Sequence, residues 1–229
     1  SSVLRTTRLR TWPSVFFLSP FLVKKYEIKT QRIGKGKTRK GDKKKTEGQV
    51  LNRVVRRTDE GWELEADLRH AELIIEQLGL LDANTVSSPG TAALTPTTAD
   101  DEEIDEEAEL LSSADSTAFR AIAARCNYLQ PDRPDIQFAV KECCRMMSKP
   151  TRKAWEMLKR IGRYLKGRPR LVWRYDWQDE QDIIDVHSDA NWAGCKRSRK
   201  SSSGGTIAVG AHLIKSYAKT QAIIAKSSG

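Results

Sequence analysis

Two features of this 229-residue chain are of a kind that does chemistry. The first is Asp189, in the stretch Val186-His187-Ser188-Asp189-Ala190-Asn191-Trp192-Ala193-Gly194, where one carboxylate stands between a short apolar run and a small-residue turn. Such an acid is either a metal-binding catalytic group or the polar residue that ends a strand. Hydrolysis by two divalent ions needs several carboxylates converging to hold the metals about 4 Å apart, so a lone acid does not decide the matter. His187, Ser188 and Asp189 are consecutive, and neighbours on a strand point to opposite faces, which excludes a Ser/His/Asp triad here.

The second feature is basic. Over residues 151–166, Ala154, Trp155, Leu158, Ile161 and Leu165 fall on one side of a helix at 100° per residue, while Arg152, Lys153, Lys159, Arg160, Arg163 and Lys166 cluster opposite, with Glu156 among them. That face is suited to phosphate contact and equally to solvation. A further basic cluster follows Gly194: Lys196, Arg197, Arg199 and Lys200. The formal net charge of +10 makes a polyanion the natural partner, because Lys and Arg arrays gain affinity by releasing counterions from phosphates.

Cys126, Cys143, Cys144 and Cys195 show neither C-x-x-C pairing nor a zinc spacing with histidine, so they read as reduced, buried residues that require no oxidising compartment. The most apolar stretch, residues 12–23, is too short to span a bilayer and is broken by Pro13 and Pro20.

The elements that must position these groups follow from periodicity. Residues 1–46 read as a basic, solvated and flexible segment. Val50, Leu51, Val54 and Val55, the turn Asp59-Glu60-Gly61, and Trp62 and Leu64 predict a hairpin. Ala71, Ile74, Ile75 and Leu78 predict a helix capped by Asp67 and stopped by Gly79. Residues 96–115 form an acidic linker without EF-hand spacing. Phe119, Ile122, Ala123 and Cys126 line one further helix, and Ile136, Ala139, Val140 and Cys143 another, with Asp135 as its cap. Downstream, four segments, "RLVWRYDW", "QDIIDVHSD", "GGTIAVG" and "HLIKSYAK", predict an antiparallel meander. The class is α+β.

Several motifs resemble the Pol polyprotein of Ty1/copia-type retrotransposons: Tyr128-Leu129, Arg133-Pro134-Asp135-Ile136, Met147 to Pro150, Trp155, Tyr164 to Gly167, Ser188-Asp189-Ala190, Trp192-Ala193-Gly194, Arg199-Lys200-Ser201 and Ser203-Gly204. The resemblance covers residues 47–228. It implies a post-palm hairpin and helix of reverse transcriptase at 47–95, thumb and connection helices at 116–170, and truncated, incomplete ribonuclease H-like antiparallel strands at 171–229. In that family Asp189 is the first carboxylate of an acidic cluster binding Mg2+ or Mn2+. The family's glutamate helix falls where this chain reads Ser227-Ser228-Gly229, the paired aspartates of the palm are absent, and Asn191 replaces an aspartate of many members. The resemblance thus implies a polyprotein fragment with both active sites incomplete, no tightly held metal, and sequence-independent binding of an RNA/DNA hybrid or duplex, with the rest of the polyprotein as a further partner and no membrane. Two other functions are compatible: a ribonuclease H whose missing acids come from elsewhere, and a basic adaptor masked by its acidic linker.

Overall fold

The computed structural model describes residues 46–91, 110–195 and 198–226. The basic N-terminal segment and most of the acidic linker lie outside the described residues. Chain order is β1 (Glu47–Val50), β2 (Arg53–Arg57), β3 (Gly61–Glu65), α1 (Leu68–Gln77), α2 (Ser113–Leu129), a 3-10 turn (Pro134–Ile136), α3 (Gln137–Arg145), α4 (Arg152–Gly167), β4 (Val172–Asp176), β5 (Asp185–Asn191), β6 (Ser202–Val209) and β7 (His212–Thr220). The α+β class is as the sequence predicts.

The expected hairpin is β2–β3, pairing Arg57 with Trp62 and Val54 with Glu65, and β1 extends it. The β1–β2 connection is the two residues Leu51 and Asn52, both at positive φ, which is the geometry whose twist matches paired strands. Glycine is required at 61 for another reason: a Cβ there would sit 2.0 Å from the Tyr175 carbonyl oxygen of the neighbouring strand. Gly61→Ala therefore opens the β3–β4 pairing at its first residue, and a loss of about 2 kcal/mol in urea unfolding is expected; an unchanged midpoint would contradict this packing.

Each helix with a side-chain cap starts on a residue of the expected kind. Asp67 accepts from the Arg69 amide (3.0 Å), Ser112 from Asp115 (3.1 Å) and Thr151 from Ala154 (3.2 Å). Gly79, at φ +65°, ends α1 by turning the chain so that the Leu80 amide donates to the Ile75 carbonyl at 3.0 Å. The predicted apolar stripes meet in one core: Ile74 and Leu78 of α1 and its C-terminal cap, Phe119, Ile122 and Cys126 of α2, Val140 and Cys143 of α3, and Leu158, Ile161 and Leu165 of α4. Gly162 lets α1 and α4 approach, since a Cβ there would meet the Leu80 and Leu78 methyls at 2.6 and 2.8 Å.

Three expectations change. Val172–Asp176 does not open a meander with the downstream strands: it pairs with β3, Leu64 against Trp173, and completes a sheet of order β1-β2-β3-β4. The second sheet is β5-β6-β7, with a bulge between Ile207 and Ala208. Asp135 is no helix cap, because the 3-10 turn carries the chain into α3 and the carboxylate is held by Arg133 instead. Finally, Ile183 and Ile184 precede β5 rather than belonging to it. In the second sheet Ile214 is exposed, while Ile207, Val209 and Leu213 are half-buried.

Candidate nucleic-acid interface

The cations of α4 divide by what they touch. After α1 the chain passes over the C-terminal turns of α4 with carbonyls pointing at its cations. Arg163 Nε donates to the Asn84 carbonyl (2.6 Å), and Lys166 Nζ to those of Ala83 (2.8 Å) and Leu81. These two cations fasten the loop. Lys159 pairs with Glu156 at 3.1 Å, an exposed i,i+3 contact of small worth. Arg152 is exposed. Arg160 Nε is shielded from solvent and has no hydrogen-bond partner among the described residues. Between the Leu78–Ala83 loop and the Glu156, Lys159, Arg160 and Arg163 side of α4 lies an open cleft of about 490 Å³. Cations lining such a cleft are suited to an anion that brings acceptors with it.

The second basic cluster lies on the β5–β6 connection. Lys196 and Arg197 lie outside the described residues. The Arg199 guanidinium stands 5.9 Å over the Trp192 ring, and the Lys200 carbonyl accepts from the Cys195 amide at 3.1 Å. Cys195 fixes the turn to α3: Arg145 Nη2 donates to its sulfur, and so does the Ser198 amide at 3.4 Å. Burial alone would raise the thiol's pKa, but the Ser198 hydrogen bonds and the Arg145 charge outweigh it and hold the thiol below its ordinary value. Neither Arg145 nor Cys195 is marked by spacing in the sequence, since their contact spans fifty residues.

Asp189 sits exposed on β5, its Oδ1 accepting from the Ala190 amide at 2.8 Å. No group of three or more His, Cys, Asp or Glu side chains that could hold a metal occurs among the described residues. Asn191 braces the turn after β5. Its Oδ1 accepts from the Ser202 amide (2.6 Å), and its side chain packs where a Cβ on Gly194 would clash.

An uncharacterized mitochondrial protein of Arabidopsis thaliana is 30% identical over 160 residues, 70% of this chain and 62% of that protein. The retrovirus-related Pol polyprotein from transposon RE1 of the same plant is 35% identical over 116 residues, half of this chain. The corresponding polyprotein from transposon TNT 1-94 of Nicotiana tabacum is 26% identical over 166 residues, 70% of this chain. The chain belongs to the copia-type retrotransposon Pol family.

It spans only 8% of the RE1 polyprotein and 12% of the TNT 1-94 polyprotein. No protein-family profile and no solved structure matches it. Within this copia-type Pol chain the motif Arg133-Pro134-Asp135-Ile136 is a clamp in which the buried Arg133 grips Asp135, and Trp192-Ala193-Gly194 is a turn in which Ser201 Oγ accepts from the Ala193 amide at 3.0 Å. No helix among the described residues is long and apolar enough to cross a membrane.

Proposed function

We propose that this stretch of Pol holds a nucleic-acid duplex by its backbone, as a thumb and connection segment of a reverse transcriptase running into the first strands of a ribonuclease H domain. The observation that carries the proposal is the cleft beside α4, which Lys159, Arg160 and Arg163 line and where Lys159 has only an exposed partner. Phosphate oxygens are acceptors for the cations that line this cleft, and contacts of this kind position a duplex without reading its sequence. Arg152 and the Lys200 turn extend the same reading to further phosphates. Asp189 supplies one exposed carboxylate, and the proposal rests on charge rather than on hydrolysis.

The test is fluorescence anisotropy with an end-labelled RNA/DNA hybrid across a salt series. Four phosphate contacts give a log–log slope of about −3.6, and so roughly 100-fold weaker binding at 200 mM than at 50 mM salt. The double variant Lys159→Gln, Arg160→Gln is expected to make that slope shallower by about 2 at unchanged melting temperature. Affinity that stays flat with salt, or a double variant with the native slope, would overturn the proposal.

A further inference from the structure

The turn Asp59-Glu60 between β2 and β3 is held by the chain that leaves β4. The Trp177 amide donates to the Glu60 carbonyl at 2.7 Å, and its indole Nε1 donates to the Asp59 carbonyl at 2.9 Å. The Arg57 guanidinium lies 5.6 Å from the Trp62 ring centre and 5.2 Å from that of Trp177, so both indoles are stacked on it. These contacts make a fixed corner, and its surface is acidic. The exposed carboxylates of Glu60 and Asp176 share one cation, Arg174. Asp59 is exposed next to Glu60, and Asp179, Glu180 and Asp182 follow along the exposed chain after Trp177. No lysine or arginine occurs from Tyr175 to Cys195. On a chain of net charge +10, this corner repels a phosphate backbone and attracts cations.

The chain itself delivers cations here. The Thr46 carbonyl accepts from the Arg57 amide at 2.8 Å, which carries the pairing of β1 with β2 one residue beyond Glu47↔Arg56. Lys43, Lys44 and Lys45 immediately precede Thr46.

We propose that the acidic corner formed by Asp59, Glu60 and Asp176 is a docking surface for Lys43, Lys44 and Lys45 of the same chain. The register, continued by one pair past Thr46, sets Lys45 beside Thr58 and brings Lys44 and Lys43 to the Asp59-Glu60 turn. An ammonium on a flexible four-carbon stem meets a carboxylate there without a fixed geometry. Each such pair is exposed and weak alone. Anchorage at Thr46 makes every encounter intramolecular, at a roughly millimolar effective concentration that a separate basic peptide does not reach. The rival acceptor within the chain is the run at 101–109, with seven carboxylates, more than fifty residues further on.

The experiment is zero-length carbodiimide cross-linking of the full chain, with the monomer fraction digested and its joined peptides read by mass spectrometry. Docking joins Lys43, Lys44 or Lys45 to Asp59, Glu60 or Asp176. Acetylation rates give a second measure that needs no variant: these three lysines are expected to react about fivefold more slowly than Lys35 and Lys37, as two exposed ion pairs imply. In the double variant Asp59→Asn, Glu60→Gln that difference is expected to vanish. Joins from these lysines to residues 101–109 instead, or no joins from them at all, overturn the proposal. Equal acetylation rates in wild type, or a difference that persists in the double variant, overturn it as well.

Discussion

Replacing Arg133 with Met is expected to lower the unfolding free energy by about 2–3 kcal/mol, the range for losing a charged donor whose carbonyl partners lie inside the fold. Arg133 is 1% exposed and is the largest side chain so completely enclosed among the described residues. Its guanidinium grips Asp135 through Nε to Oδ1 (3.0 Å) and Nη2 to Oδ2 (2.7 Å). The same fork reaches the carbonyls of Arg168 (2.9 Å) and Pro169 (3.3 Å), just past the end of α4. One residue thus fastens the α2–α3 connection to the exit of α4, and from there β4 runs back to β3. Lysine carries the charge but not the planar fork, so Arg133→Lys is expected to recover less than half of the loss. Burial alone would raise the Asp135 carboxyl, but hydrogen bonds and charge from Arg133 outweigh it and hold the carboxyl below its usual range. A depressed folded pKa contributes stability that is present above the ordinary aspartate range, near pH 4, and is lost as pH falls through the lowered value. Urea midpoints taken between pH 6 and pH 2 should therefore show a shallower acid limb in Arg133→Met than in wild type. Equal limbs, or a loss under 1 kcal/mol, would show that the clamp is not what holds these elements.

What the sequence made legible is what lies close along the chain. The α2 and α3 stripes, the Asp67 cap and the Gly79 stop are set by periods of three to four residues and by single-residue chemistry, so they are readable and are found where expected. The neighbour of β4 is not readable. Alternation marks Val172–Asp176 as a strand, but its partner Gly61–Glu65 lies more than a hundred residues earlier, with all four helices between. Arg133 is hidden for a different reason: a cation in a Pro- and Asp-rich connection looks like surface, and only the carbonyls at Arg168 and Pro169 make it interior. The same holds for α4, where periodicity groups six cations on one face without showing that backbone carbonyls of the α1 exit occupy Arg163 and Lys166. Asp189 is legible as a strand acid, and its environment is not, because metal ligands are gathered by tertiary approach rather than by spacing on one strand.

Glu142→Gln is expected to cost about 3–5 kcal/mol, with the loss concentrated at one place. The apolar core includes no residue of β5, β6 or β7, so the second sheet is held to the helices chiefly by polar groups. Glu142, 5% exposed, is the centre of that contact: Oε1 meets Lys141 Nζ at 2.6 Å and Oε2 meets Arg145 Nη1 at 2.7 Å. Each cation then reaches across, Lys141 to Ser202 Oγ and Arg145 to Cys195 Sγ, while Gln137 donates to the Ser216 carbonyl at 3.3 Å. Without the carboxylate, two adjacent cations are left with no counter-charge between them, and each is freer in solvent than against the sheet. Hydrogen exchange is the discriminating measurement, because local opening and global unfolding protect different amides. Amides of β6 and β7 are expected to exchange faster in Glu142→Gln while those of α2 keep their protection, and Cys195 is expected to react faster with a thiol reagent. Replacing Lys141, Glu142 and Arg145 together with Met should restore much of the stability, since apolar groups of similar volume remove the desolvation cost along with the pairing. Uniform acceleration across α2 and β6 would mean that the charges stabilise the whole fold and that the second sheet has no separate attachment.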